Sequence, residues 1–372
     1  MPRFLRVRLG AMVAPAAPAT HAGTGPRRWV WVALTALLLL SLLWALGMGR
    51  FGLRPSAVAA ILLSGWLPLS GLDWDALLAG LPGGLDAAQR VIWQVRMPRL
   101  LLACLAGTSL AICGAALQGA FRNVLVGPQV LGISSGAALG GCLAILLFTS
   151  LPAIMGGAFI GGLVAVTAVY LLARTQGQTT MLMLVLAGVV TSAFFAALIS
   201  LVTYFADPND TLPAIVFWLM GSFATASYAK LGAVLLPMAL GMALLLALRF
   251  RINVLSLGDE AAHAAGLAVE PLRWAILACV TLVVSSSVAV SGTVGWVGLV
   301  VPHFARMVVG PDHRVLLPAS ALMGGVFMVV VDTLARTLTS AEIPLGVITA
   351  LVGAPVFAWL LRRTQAREWR HD

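Results

Sequence analysis

The chain is 372 residues long, with 60% hydrophobic and only 10% charged residues and a mean hydropathy of +1.01. A soluble domain carries about 45–50% apolar and about 25% charged residues, so a soluble enzyme, a disordered scaffold and a secreted disulfide-stapled domain are all excluded. The net charge of +10 would point to nucleic acid in a soluble chain, but here the cations flank apolar runs, a pattern of membrane orientation with no nucleic-acid partner implied.

Residues 1–28 hold Arg3, Arg6, Arg8, Arg27 and Arg28 around an Ala/Pro-rich stretch, which reads as a disordered cytoplasmic tail. The first apolar span is Trp29–Gly49. Its Ala45-Leu46-Gly47 resembles a small-x-small cleavage site, yet the run is too long for the apolar core of a signal peptide. A loop over 50–98 follows, with a short apolar piece at Ala57–Leu67. The later spans are Leu100–Phe121, Val130–Phe148, Ile154–Leu172, Met181–Tyr204, Leu231–Leu248, Leu272–Val290, Gly292–Val309, Leu316–Leu338 and Gly346–Leu361. Leu212–Met220 is too brief to span and is expected to form a re-entrant or surface helix.

The fold class expected is therefore an all-α polytopic membrane protein of ten spans, its membrane domain covering 29–363 and a cytoplasmic tail covering 364–372. Ten spans put both termini on one side. With the N-terminus inside, 16 of the 23 basic residues lie in the cytoplasm and seven outside: Arg50, Arg54, Arg90, Arg96, Arg99, Lys230 and Arg336. That asymmetry supports N-in, C-in. Gly132, Gly136 and Gly140, like Gly157 and Gly161, recur every four residues, so glycines share one helix face where backbones can approach closely. The four cysteines all fall in apolar stretches without a C-x-x-C pair and read as small packing residues.

No G-x-x-x-x-G-K-[ST] is present, and Lys230, the single lysine, has no glycine-rich loop before it, so the chain cannot itself be a P-loop ATPase. No hydrolase set and no metal-ligand spacing occur, and neither catalysis nor a cofactor is expected. Intramembrane ionisable residues are functional candidates by default. Asp332 and Arg336, four apart in the ninth span, are positioned to pair on one helix face, and His303 and Arg306 lie in the eighth. One membrane carboxylate is little for a proton relay, which weakens an ion-gradient-driven secondary carrier as the alternative.

The loop between the sixth and seventh spans, NVLSLGDEAAHAAGLAVEP over 253–271, predicts a short cytoplasmic helix. Asp259 and Glu260 suit a helix N-terminus, and Gly266 suits a left-handed helix end. Glu260-Ala261-Ala262 followed by Gly266 matches the E-A-A-x-x-x-G core with which importer membrane subunits dock on their ATPase. With it, in order, come Arg96-Met97-Pro98-Arg99, Gly114 to Gly119 (GAALQG), Arg122-Asn123-Val124-Leu125 and Leu131 to Ala137 (LGISSGA). Further on stand Phe217 to Ser222 (FWLMGS), Val297 to His303 (VGLVVPH), Gly310 to Arg314 (GPDHR), Asp332 to Arg336 (DTLAR), Pro344-Leu345-Gly346-Val347 and Gly353-Ala354-Pro355.

This ordered set resembles the FecCD family, the permeases of type II ABC importers for iron–siderophore, haem and vitamin B12, over about Ile92 to Arg363. The resemblance implies a homodimer in the bacterial inner membrane, a cytoplasmic ABC ATPase dimer and an external, periplasmic or lipid-anchored substrate-binding protein. It implies that Arg96, Arg99 and Arg336 meet acidic residues of that binding protein, and that Asn123 and Leu125 lie at the cytoplasmic gate. The family usually has N-P-L at that gate, whereas here Val124 replaces the proline and frees one φ angle. In the family the loop around Thr179–Leu182 also forms a second gate segment, but no distinctive motif here carries that role over. Iron–siderophore is the expected cargo, haem and cobalamin follow, and oxyanion importers for molybdate share the fold.

Overall fold

The computed structural model describes residues 28–49, 51–64, 84–148, 150–175, 178–179 and 181–368. The N-terminal tail expected over 1–28 lies outside the described residues apart from Arg28, as do Arg50, the middle of the first long loop and Thr180 of the second gate segment.

The chain is almost entirely helical. In order it forms α1 (Arg28–Gly47), α2 (Pro55–Ser64), α3 (Gly84–Arg90), a π-helical turn (Val91–Arg96), α4 (Met97–Ala120), α5 (Ile133–Leu147) and α6 (Leu151–Ala173). A two-stranded hairpin, β1 (Arg174–Thr175) and β2 (Gln178–Thr179), leads to α7 (Met181–Phe205) and α8 (Thr211–Met220). Then come α9 (Tyr228–Ala247), α10 (Arg249–Leu255), α11 (Asp259–Ala264), α12 (Val269–Ser291), α13 (Val297–Val309), α14 (His313–Thr337) and α15 (Leu345–Glu368).

Seven helices among the described residues are long and apolar enough to cross a bilayer. They correspond to seven of the ten expected spans. The other three fall on shorter apolar helices, Ile133–Leu147, Val297–Val309 and Leu345–Trp359. The first two are entered through left-handed residues, Gly132 (φ 70°) and Trp296 (φ 67°), which turn a coil abruptly into a helix and shorten the span. The last helix runs on to Glu368, into the stretch expected as a tail.

Helix α4 is the centre of the bundle. It packs against α14, α13, α12 and α9, and its residues from Ser109 to Ala120 are all buried. Such a helix has no solvent or lipid face, which is why this stretch is mostly Ala, Gly, Leu and Ile rather than patterned at period 3.6. Small residues let its neighbours close in: a Cβ at Gly107 would meet the carbonyl of Gly324 on α14, and one at Gly114 would meet that of Gly298 on α13. The same device joins α5 to α6, where Gly136 faces Gly161 and Gly140 faces Gly157. The glycine spacing read from the sequence thus becomes a backbone-to-backbone seam. In lipid, where helices gain little from hiding apolar surface, such van der Waals contact is a main source of association.

Helix α8 is ten residues long, too short to span, and its C-terminal end is stitched to two others. The Ser222 N–H donates to the Ser291 carbonyl at the end of α12, and the Leu345 N–H donates to the Gly221 carbonyl, both at 2.9 Å. The Thr293 hydroxyl donates to Leu219 O.

Gly140→Val should separate α5 from α6 and lower the stability of the detergent-solubilised protein by about 1–3 kcal/mol, the usual range for overpacking. Gly156→Val, where a Cβ meets nothing within 4 Å, should leave the thermal unfolding midpoint unchanged. The pair of melting curves checks the seam.

Candidate functional site: a coupling helix and two buried polar networks

The predicted cytoplasmic helix exists as α11, and its end is built as the sequence implied. Gly266 sits at φ +76°, its N–H donates to His263 O and the Leu267 N–H donates to Ala262 O, both at 2.9 Å. This paired closure is a Schellman end, which satisfies two carbonyls that the helix would otherwise leave open. A residue with a Cβ at Gly266 would carry a left-handed penalty of roughly 1–2 kcal/mol. Ala262 is buried, whereas Glu260, Ala261, His263 and Ala264 are exposed, so α11 presents one face to the cytoplasm.

Asp259 and Glu260 divide the work expected of them jointly. Asp259 makes no cap bond to its own helix. Its carboxylate accepts instead from Arg273 on α12, at 2.8 Å to Nη2 and 3.2 Å to Nη1. Arg273 is a hub that no sequence motif singles out. It is buried, lies 3.5 Å from Glu270, donates to the Ala120 carbonyl at 3.5 Å, and sits over the Phe121 ring at 5.8 Å. Glu270 in turn accepts from the Tyr170 hydroxyl of α6. Helix α11 is therefore tied through one guanidinium to the last turn of α4, directly ahead of Asn123 and Leu125.

Asn123 and Leu125 lie in the loop that leaves α4. Asn123 Oδ1 accepts the Leu125 N–H at 2.7 Å, an Asx-type turn that spans Val124. The preceding Arg122 adopts φ +51°, unusual for a residue with a Cβ, and its guanidinium approaches Gly258 at the start of α11. One turn back, Gln118 is buried, and its Oε1 accepts from Arg306 Nη2 at 3.0 Å, latching α4 to α13. Arg306 thus bonds inside the bundle, while His303 is half-buried on the same helix. At the start of α14, Asn253 Oδ1 accepts the His313 N–H, and the Arg314 guanidinium beside Asp312 holds that carboxyl below the usual carboxylate range.

The opposite, outer end holds the three arginines, and all three are largely enclosed by the bundle. Arg96 is 7% exposed and donates to the carbonyls of Leu46 and Phe51. Arg336 donates to Met48 O at 2.6 Å and to Ala45 O. Arg99 bridges two carboxylates: Nη2 lies 2.9 Å and Nε 3.0 Å from Asp332 Oδ1, and Nη1 lies 2.8 Å from Glu342 Oε1. The expected Asp332–Arg336 pair is a distant 3.9 Å contact. Asp332, 2% exposed, takes Arg99 because that guanidinium can approach it in two-pronged geometry from α4. Among the described residues, the cations exposed at this end are Arg54 and Arg90.

Residues 37–363 match the model of the FecCD transport family. The chain belongs to that family. It is an ABC importer permease, a multi-span protein of the inner membrane. The molybdate import system permease MolB of Haemophilus influenzae is 42% identical over 88% of this chain and 94% of its own. The cobalamin permease BtuC of Halobacterium salinarum is 39% identical over 80% and 81%, and the hemin permease HmuU of Yersinia pestis 41% identical over 75% and 85%. Among solved structures, a metal-chelate type ABC transporter in an inward-facing conformation superposes with a TM-score of 0.78 at 39% identity, covering 91% of this chain and 100% of that one.

In this FecCD permease, Arg99→Leu should lower stability by about 3–5 kcal/mol, because Asp332 is left buried without its cation. Arg99→Leu with Asp332→Asn should recover a large part of that loss. Thermal unfolding of the four proteins in a double-mutant cycle measures the coupling.

Proposed function

We propose that the chain is the non-catalytic membrane subunit of an ATP-driven importer, working as a homodimer with a separate cytoplasmic ATPase dimer and an external binding protein. One observation carries this reading: α11 is a rigid, one-sided helix whose exposed face carries Glu260 and whose buried face is bolted through Asp259–Arg273 to the end of α4. A secondary carrier has no use for such a lever. An ATPase pressing on α11 moves Arg273, and Arg273 moves the backbone that leads to Asn123 and Leu125.

The cargo proposed is a small metal-bearing compound. Iron–siderophore, haem and cobalamin chelates form the first reading, supported by the names of the cobalamin and hemin permeases among the relatives. A metal oxyanion is the second, supported by the molybdate permease at 42% identity. For the binding protein, we place the acidic docking partners on the outer end. Arg96 and Arg336, whose main acceptors are backbone carbonyls, contribute positive field from below the surface, Arg99 being neutralised by Asp332 and Glu342, while exposed Arg54 and Arg90 make the direct contacts.

Two experiments test this. Glu260→Arg with Gly266→Val should abolish uptake into proteoliposomes and association of the ATPase, while the permease still reaches the membrane as a dimer; wild-type uptake and pull-down would reduce α11 to a connector. Arg54→Glu with Arg90→Glu should weaken binding-protein affinity at low salt, an effect that shrinks near 1 M salt, where the screening length is about 3 Å. Unchanged affinity at low salt would move docking away from these residues.

A further inference from the structure

A cavity of about 470 Å³ opens at the outer end, between α8, the loop that follows it, the start of α9, the end of α12 and the segment before α15. Its floor and walls are mostly apolar, with Phe217, Trp218 and Val290 among them. Five polar side chains bear on it: Ser222, Thr225, Lys230, Ser291 and Glu342. The Ser291 hydroxyl is committed to the Ser287 carbonyl at 2.8 Å.

Around Lys230 the hydrogen-bonding roles are already half assigned. Ser222 Oγ accepts the Ala224 N–H at 3.0 Å, and Thr225 Oγ1 accepts from Lys230 Nζ at 2.5 Å. Each hydroxyl thus uses oxygen lone-pair capacity within the protein and keeps its O–H to donate. Lys230 uses one N–H on Thr225 and keeps two more. Glu342 would be the natural neutraliser, but Arg99 takes both of its oxygens, at 2.8 and 2.9 Å. Among the described residues no ion pair joins Lys230 to a carboxylate. The cavity therefore offers a lysine with no carboxylate partner and two hydroxyl donors beside it, inside partly apolar walls where charge is poorly screened, while the one carboxylate on its wall is held back by Arg99.

We propose that this cavity is an anion-recognition site at the outer mouth of the permease, with Lys230 as its charged contact and Ser222 and Thr225 as the flanking donors. The ligand class is an anion rich in acceptor oxygens, either a tetrahedral metal oxyanion or a ferric chelate bearing free carboxylates. This deepens the importer reading and rests on it: a neutral chelate gains nothing from Lys230, so the site narrows the cargo to the anionic members of the proposed class.

Lys230 is the single lysine of the chain, which gives a direct test on the unaltered protein. The full-length permease in lipid nanodiscs is treated with an amine-reactive ester, and modification of Lys230 is followed by peptide mass spectrometry. Molybdate, ferric citrate and cyanocobalamin are added in turn, with chloride at matched ionic strength as the reference. A ligand seated on Lys230 slows labelling by 1 + [L]/Kd, about tenfold at ten times Kd. The expected result is slowing by molybdate or ferric citrate beyond chloride and none by cyanocobalamin. Whichever of the two anions acts at lower concentration names the source. Equal labelling rates in all additions, equal slowing by cyanocobalamin, or a Lys230 that never reacts would each overturn the proposal. Uptake is not the readout, so failure here leaves the importer assignment standing, and loss of ATPase association in its own assay leaves this site untouched.

Discussion

A carboxylate held in an apolar layer needs a cation to meet it, and the position of that cation dictates which helices must touch. Asp332 is such a group. Burial forces it to be paired, Arg99 answers from α4, and the same guanidinium reaches on to Glu342 in the segment that opens α15. Three separate parts of the chain are thereby drawn to one point at the outer end. The helices cannot choose other neighbours without stranding a charge, a far larger penalty than any one packing contact supplies. The glycine seams between α4, α13 and α14 then complete an arrangement whose register is already fixed.

The inner end uses the same chemistry to different effect. Arg273 is also a buried guanidinium with several acceptors, but one of them, Asp259, belongs to a short helix at the surface of the bundle. Where Arg99 joins elements of the bundle to one another, Arg273 joins the bundle to α11. The pairing with Ala120 O and the contact with Phe121 bring that link to the end of the central helix. The two ends differ in where each arginine finds its carboxylate.

Much of this was legible in the sequence. The apolar runs gave the membrane helices, Glu260-Ala261-Ala262 with Gly266 gave the short helix α11 and its left-handed end, and the four-residue glycine spacing gave the α5–α6 seam. The arginines show where such reading stops. Local spacing pairs Asp332 with Arg336 because they are four apart, yet the true partner is 233 residues away and arrives only when α4 packs on α14. Burial of Arg96 could not be read either, since its acceptors are backbone carbonyls, which every residue carries. Arg273 looked like one more cytoplasmic positive charge for the same reason: its role depends on what folds around it. Trp296 and Gly132, which shorten two spans by entering helices from a left-handed turn, are backbone events with no apolar signature.

The widened turn between α3 and α4 deserves a reading of its own. Over Val91–Arg96 the backbone bonds skip one residue further than in an α-helix, so the turn holds an extra residue and loosens its own carbonyls. One of them, at Trp93, accepts the hydroxyl of Tyr228 at 2.7 Å, from the start of α9. An inserted residue has become a joint between two helices distant in the chain. Removing it would restore regular winding but swing α3 by about 100° relative to α4, turning Arg90 to a different side of the outer surface and withdrawing the carbonyl from Tyr228. The insertion, once accommodated, is held in place by the contact it created.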